Sequence, residues 1–295
     1  MTMLSKKLTG TGVALVTPFH KNGSIDFKSL SKLVEHIIKG KCEYLVPLGT
    51  TGESVTLTAD EKHAVVDCVL ETNNNRVPVV LGLGGNNTQE ILGKLRQNDF
   101  EGIAAILSVS PYYNKPSQKG IIQHYKMIAE ESAVPVILYN VPGRTGSNLT
   151  AETTLELAHS QPNIVGVKEA SGNMEQIMHI IREKPANFLV ISGDDGITLP
   201  LIASGADGVI SVVANAYPKQ FSEMVRLAAK ADMKKAQQLH YQLFPLIPML
   251  FAEGSPAGIK HVLKQLGICE DFVRMPLAGI SKNLANRLTA FCDSL

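Results

Sequence analysis

Residues 135–169 read PVILYNVPGRTGSNLTAETTLELAHSQPNIVGVKE, and they hold two short apolar runs, Pro135–Tyr139 and Ile164–Lys168. Runs so short and so apolar are strands buried between layers. The segment between them reads as a helix, so the stretch is a β-α-β unit. The same alternation extends both ways. Further strand candidates are Val13–Phe19, Tyr44–Leu48, Pro78–Leu83, Ala104–Val109, Phe188–Ile191 and Val209–Val213. Eight β-α units within about 230 residues fit a (β/α)8 TIM barrel, an α/β fold. A doubly wound open sheet is the alternative, but it usually has fewer strands and a phosphate-binding first turn.

The connecting segments carry helix signals. Leu30, Leu33, Val34, Ile37 and Ile38 share one face, with Asp26 as N-cap and Gly40 as stop. Thr58-Ala59-Asp60-Glu61 has the form of a capping box. From about Ala216 onward strands give way to helices: Pro218–Ala231, Lys234–Phe251, Pro256–Leu266 and Ile280–Cys292. The expected organisation is a catalytic barrel over residues 1–230 and a helical extension over residues 231–295, packed on its outside.

Composition narrows the function classes. The chain has 295 residues, 44% hydrophobic and 19% charged, with 28 basic and 27 acidic side chains and a net charge of +1. That balance gives no electrostatic case for nucleic acid or a membrane surface. Cys42, Cys68, Cys269 and Cys292 are isolated, which suits a reduced, cytosolic thiol set. The first residues do not form an apolar signal core. The longest apolar run, Leu243 to Ala252, contains Pro245 and Pro248 and is far short of the ~20 residues of a membrane helix.

In such a barrel the chemistry lies at the carboxy-terminal ends of the strands. Those ends read Gly49-Thr50-Thr51-Gly52-Glu53, Ser110-Pro111-Tyr112-Tyr113-Asn114, Tyr139-Asn140-Val141-Pro142-Gly143-Arg144, Lys168-Glu169, Ser192-Gly193-Asp194-Asp195-Gly196 and Gly208-Val209-Ile210-Ser211. Lys168 is the pointed feature, because burial disfavours an ammonium relative to the neutral amine. A neutral amine attacks a carbonyl and forms a Schiff base. The plain reading is a strand-terminal lysine that meets solvent. Thr50-Thr51 is either a turn or a set of N–H groups and hydroxyls for a small carboxylate. Tyr139, Tyr112 and Tyr113 are packing aromatics or phenols that relay protons. Arg144 is a solvated charge or a bidentate carboxylate clamp. Together at one mouth they favour the functional readings.

Other chemistries find no support. There is no G-x-x-x-x-G-K-[ST] loop, and Gly82-Leu83-Gly84-Gly85 lacks the last glycine of a dinucleotide fingerprint. The eight histidines are scattered without H-E-x-x-H, which disfavours a zinc aldolase. No G-x-S-x-G elbow appears.

With these residues assembled, the chain resembles the pyruvate-dependent class I aldolase and N-acetylneuraminate lyase family, and within it the dihydrodipicolinate synthase branch. The resemblance covers essentially the whole length. It rests on GTTGES (Gly49–Ser54), PYYNKPSQ (Pro111–Gln118), YNVPGRTG (Tyr139–Gly146), VKEASGN (Val167–Asn173), SGDDG (Ser192–Gly196) and GVISV (Gly208–Val212). Arg144 with Tyr113 favours that branch over the sugar-acid lyases, which remain the alternative.

The resemblance implies that Lys168 condenses with pyruvate and that the enamine attacks L-aspartate 4-semialdehyde, in lysine (diaminopimelate) biosynthesis. Tyr139, Thr50 and Tyr113 match the family's proton relay. Thr51 and Ile210 (through its backbone) match pyruvate contacts, Gly193 matches a substrate-binding position, and Arg144 matches the clamp on the semialdehyde carboxylate. No metal or organic cofactor is implied. A cytoplasmic homotetramer, a dimer of dimers, is expected, with Tyr113 entering a neighbour's site. Ser54, Asn86, Glu90 and Tyr112 match a lysine feedback site, from which Ala59 and Lys62 depart. Lys62 adds a charge that repels a dicationic ligand, so weak inhibition is expected.

Overall fold

The computed structural model describes residues 7–295; residues 1–6, part of the stretch read as lacking a signal core, lie outside them. Eight strands run in chain order: β1 Gly10–Ala14, β2 Tyr44–Val46, β3 Val79–Gly82, β4 Ile103–Val109, β5 Val136–Asn140, β6 Ile164–Glu169, β7 Leu189–Ser192 and β8 Gly208–Ser211. All pair in parallel with their neighbours, and β8 closes on β1. The TIM barrel expected from the sequence is therefore the fold.

Helices follow the strands as α1 Phe27–Lys39, α2 Ala59–Asn73, α3 Thr88–Gln97, α4 Gln118–Glu131, α5 Ala151–Ser160, α6 Met174–Glu183, α7 Thr198–Ala203 and α8 Pro218–Ala229. The Asp26 side chain accepts from the Ser29 N–H at the start of α1. Both reciprocal bonds of the Thr58–Glu61 capping box are made at α2. Four more helices come after the barrel: α9 Met233–Leu243, α10 Leu246–Phe251, α11 Ala257–Gln265 and α12 Lys282–Asp293. None of the described helices is long and apolar enough to cross a membrane.

Two expected boundaries are corrected. The first strand is Gly10–Ala14 and not Val13–Phe19. Its glycines read as loop, yet they are there for close approach. A Cβ on Gly12 would lie 2.1 Å from the Tyr44 ring, which fills the barrel interior, and one on Gly208 would lie 2.0 Å from the Gly10 carbonyl. Leu15, Val16 and Phe19 are buried without a strand ladder, in a loop that bridges Phe19 to Ile25. The single helix Lys234–Phe251 is two, α9 and α10, parted at Phe244-Pro245. Pro245 has no N–H to continue the first ladder, whereas Pro248 falls within the first turn of α10, where that loss is tolerated.

Side chains alternate between two cores. Tyr44, Val80, Leu107, Ile137, Tyr139, Ile191 and Ile210 pack inside the barrel. Val34, Leu45, Ile106, Val136, Leu138, Val167 and Val190 pack between barrel and helices. On β6 the alternation is interrupted. Val136 lies opposite Ile164 but Ile137 lies opposite Gly166, so Val165 is an extra residue. Such a bulge resets which face each later residue takes. After it Val167 faces the helices, and Lys168 lies opposite Tyr139, facing inward.

Candidate active site

Lys168 is 6% exposed, and its Nζ stands 4.3 Å from the centroid of the Tyr139 ring. Among the described residues no carboxylate comes within ion-pair range of this nitrogen; the well-buried lysine pairs are Lys184–Asp207 and Lys260–Glu53. Gly193 leaves the room its side chain needs. A Cβ there would meet Lys168 Cε at 3.1 Å and the Ala170 Cβ at 2.7 Å. Gly193 donates its N–H to the Glu169 carbonyl at 2.7 Å, which ties the end of β7 to the end of β6.

The neighbouring carboxylate points the other way. Glu169 is fully buried and accepts from Asn140 Nδ2 (3.0 Å), Ser171 N (3.1 Å) and Gln176 Nε2 (2.6 Å). Burial raises its pKa, against the pull of those hydrogen bonds. Asn140 also accepts from Leu149 N at 2.9 Å, so one network pins β6 to both ends of the loop that carries Arg144. Arg144 sits on a one-turn helix, Pro142–Thr145, and is exposed. Among the described residues its guanidinium has no carboxylate partner.

Thr50 opens a 3-10 turn, Thr50–Gly52, beyond β2, and Thr51 is buried in it. Ile210 is buried on the inner face of β8, one residue past the last β7–β8 register pair, Ser192–Val209. Asp195 secures that end of β8: it is buried and accepts from the N–H groups of Val212 and Val213, both at 3.0 Å. Burial raises its pKa despite these bonds.

A cavity of about 770 Å³ opens over the mouth. Thr50, Tyr139 and Arg144 line it, and so do Ser54, Asn86, Glu90 and Tyr112 at its outer part. Lys62 and Lys94 line that outer part too, where Glu90 already pairs with Lys94 at 2.5 Å. Burial, followed by repulsion from Lys94, lowers the Lys62 pKa. Lys168, Thr51, Ile210 and Gly193 are not among the cavity's lining residues, nor is Tyr113. It is 87% exposed at a left-handed φ of +74°, unusual for a residue with a bulky side chain.

Several buried polar residues here had no assigned part in the sequence reading. Glu53, next to the Thr50–Thr51 turn, pairs with Lys260 of α11 at 2.5 Å, with side chains 1% and 0% exposed. Arg274 donates its backbone N–H to Glu53 (2.9 Å) and its guanidinium to Glu61 of α2 (2.5 and 2.7 Å). The ring of Phe19 lies 4.2 Å from Lys260 Nζ and 4.6 Å from Arg274 Cζ. Glu169, Asn140 and Asp195 stand inside quoted motifs, Glu169 directly after Lys168 and Asn140 directly after Tyr139, and that placement was the available signal. Lys260 offered none.

Comparison with known proteins agrees with this geometry. Residues 7–294 match the Dihydrodipicolinate synthetase family. A relative from Flavobacterium psychrophilum, named 4-hydroxy-tetrahydrodipicolinate synthase, is 53% identical over 286 residues, covering 97% of this chain and 98% of its own. The chloride-inhibited dihydrodipicolinate synthase of Acinetobacter baumannii, solved with pyruvate, superposes with a TM-score of 0.94 at 40% identity, covering 97% and 98% of the two chains. The enzyme of Cyanidioschyzon merolae with lysine bound gives 0.93 at 34% identity, covering 98% and 99%.

Proposed function

The chain belongs to the Dihydrodipicolinate synthetase family, and we propose that it condenses pyruvate with L-aspartate 4-semialdehyde, as a 4-hydroxy-tetrahydrodipicolinate synthase of lysine biosynthesis. One observation carries the residue assignment: a buried lysine with no carboxylate partner among the described residues faces a tyrosine at the barrel mouth, beside a cavity lined by an arginine that likewise has none among them.

In this reading the neutral amine of Lys168 attacks the pyruvate ketone, and loss of water leaves an imine. Removal of a methyl proton gives the enamine, whose carbon attacks the aldehyde of the second substrate. The substrate's own amine then adds to the imine carbon and expels Lys168. Tyr139, within reach of that amine, moves protons at each stage, with Thr50 and Tyr113 completing the relay. Thr51 and the Ile210 backbone hold the pyruvate carboxylate, and Gly193 leaves substrate and the Lys168 side chain their room. Arg144 holds the semialdehyde carboxylate through two parallel hydrogen bonds. The Lys168 imine itself acts as the electron sink, so no metal or organic cofactor is invoked.

Tyr113 (87% exposed) and Val55 (83%) are large apolar side chains left in solvent, which suits contact with a second copy, and a cytoplasmic homotetramer of two tight dimers is the assembly we assign. Residues 1–230 serve as the catalytic barrel and residues 231–295 as its helical extension. Ser54, Asn86, Glu90 and Tyr112 form a feedback site at which L-lysine binds weakly, because Lys62 faces the same space.

The test is borohydride reduction in the presence of pyruvate, beside turnover with each candidate substrate. One reduced pyruvyl adduct per chain, on the peptide holding Lys168, and condensation with aspartate semialdehyde are expected. An adduct elsewhere, or none, rejects the Schiff-base assignment. Cleavage of N-acetylneuraminate without condensation would instead favour a sugar-acid lyase.

A further inference from the structure

The turn that carries Thr50 and Thr51 ends at a residue with two costly features. Glu53 takes a left-handed φ of +53°, which residues with a Cβ seldom adopt. Its backbone N–H donates to the Thr50 carbonyl (3.1 Å), and its own carbonyl accepts from Thr56 N and Thr56 Oγ1, both at 2.9 Å. Its side chain is buried as an ion with Lys260, 207 positions further along the chain. Lys260 also donates to the Phe272 carbonyl at 2.8 Å, and Arg274 N closes the second carboxylate oxygen.

A buried ion pair is a weak source of stability, because desolvation offsets most of its attraction, and apolar residues of similar volume often serve as well. Its better-attested use is to fix one geometry. Here that geometry is the position of the Thr50–Gly52 turn. Glu53 and Lys260 are 2% and 0% exposed and spend their charged groups on each other, the Phe272 carbonyl and Arg274 N, so neither is placed to touch substrate.

We infer that Glu53 and Lys260 are positioning residues: through their ion pair the helices beyond the barrel hold the Thr50–Thr51 turn where it receives the pyruvate carboxylate. The inference rests on the assignment of pyruvate to Thr51. It gives the carboxy-terminal helices a part in substrate affinity, and it makes that part selective. Arg144 is held by a different network, through Asn140 and Glu169, so semialdehyde binding is independent of the pair.

The experiment compares the parent protein with the double variant Glu53→Gln/Lys260→Met, which removes both charges together. Thermal unfolding and the KM for each substrate are measured, with borohydride trapping on Lys168 as the control for the underlying assignment. The double variant should remain folded and still form the adduct at saturating pyruvate. Its pyruvate KM should rise tenfold or more, while its semialdehyde KM stays within about twofold. If it fails to fold, Glu53→Asp takes its place. That variant keeps both charges and shortens the reach by one methylene, and it should show the same selective rise. A folded variant whose two KM values match the parent's, or rise together, overturns the inference. Failure of the parent itself to form the adduct would overturn the pyruvate assignment instead.

Discussion

Lys168 and Lys260 are both buried lysines, 6% and 0% exposed, and the chain treats them in opposite ways. Lys260 has a carboxylate at 2.5 Å, a carbonyl at 2.8 Å and an aromatic face at 4.2 Å. Burial lowers its pKa, and Glu53 pulls it back up. Lys168 has the aromatic face alone, at 4.3 Å, and its nearest acidic neighbour in sequence, Glu169, is engaged on the other side of the strand. The first environment is built to keep an ammonium in place. In the second no carboxylate among the described residues comes within ion-pair range; the Tyr139 ring, which lines the cavity, faces the amine instead. Burial of a lysine is therefore not by itself a mark of catalysis; what separates these two is the carboxylate partner.

The sharpest way to break this contrast is to replace each lysine with methionine, which fills similar space without charge. Lys168→Met should reduce condensation on the order of 10⁴-fold or more, as loss of a nucleophile does. Its stability should move by no more than about 1 kcal/mol, since no ion is left behind. Retention of turnover above that level, measured with both substrates saturating, would equate the two lysines. Lys260→Met should do the reverse at the level of folding and lose about 3–5 kcal/mol in denaturant titrations, because Glu53 is left buried and unpaired. An unchanged midpoint would mean that Glu53 is protonated or hydrated in the folded protein.

A third buried base shows how the same conflict is resolved by neutrality. His124 is 5% exposed; Thr88 Oγ1 lies 2.8 Å from its Nδ1, and Nε2 has no hydrogen-bond partner among the described residues. Desolvation lowers its pKa to about 4, from an ordinary value of 6.5. The unfolded chain therefore binds the proton first as pH falls. Stability should be full above about pH 6.5 and decline toward pH 4, by up to about 3 kcal/mol from this group. In His124→Gln the slope of stability against pH across that window should flatten, whatever its absolute stability. A slope equal to the parent's would place the acid sensitivity elsewhere.

The smallest expected effect concerns Lys62, half-buried between Lys94 and Glu90. Like-charge repulsion at ~4–6 Å costs a dicationic ligand on the order of 1–3 kcal/mol, or roughly tenfold to a hundredfold in affinity. Initial rates titrated with L-lysine should thus show weak inhibition, and Lys62→Ala should strengthen it by about that factor. Inhibition of the parent at submillimolar L-lysine would show that Lys62 swings clear into solvent.

Legibility in the sequence followed the range of the interaction. The strands that carry the site are apolar runs, so β5 and β6 were visible, as were Lys168, Tyr139 and Arg144 at or beyond their ends. The start of β1 was not, because Gly10 and Gly12 serve tertiary clearance and carry no apolar signal. The break at Pro245 was hidden inside a run that stays apolar through it. Glu53 and Lys260 were out of reach for a different reason. Their pairing spans 207 positions, and a lysine on a helix reads as a solvated charge until the packing around it is known.

The extra residue on β6 has a consequence for how such a protein can change over time. Val165 sets a phase, and every later side chain on the strand inherits it. A point substitution at Lys168 would silence the amine and leave the barrel whole. Loss of one codon between Ile164 and Val167 would shift that phase, so that the amine is turned into the helical layer and Val167 or Glu169 toward the mouth. The inward place of the amine is thus encoded twice, once as a residue type and once as a count.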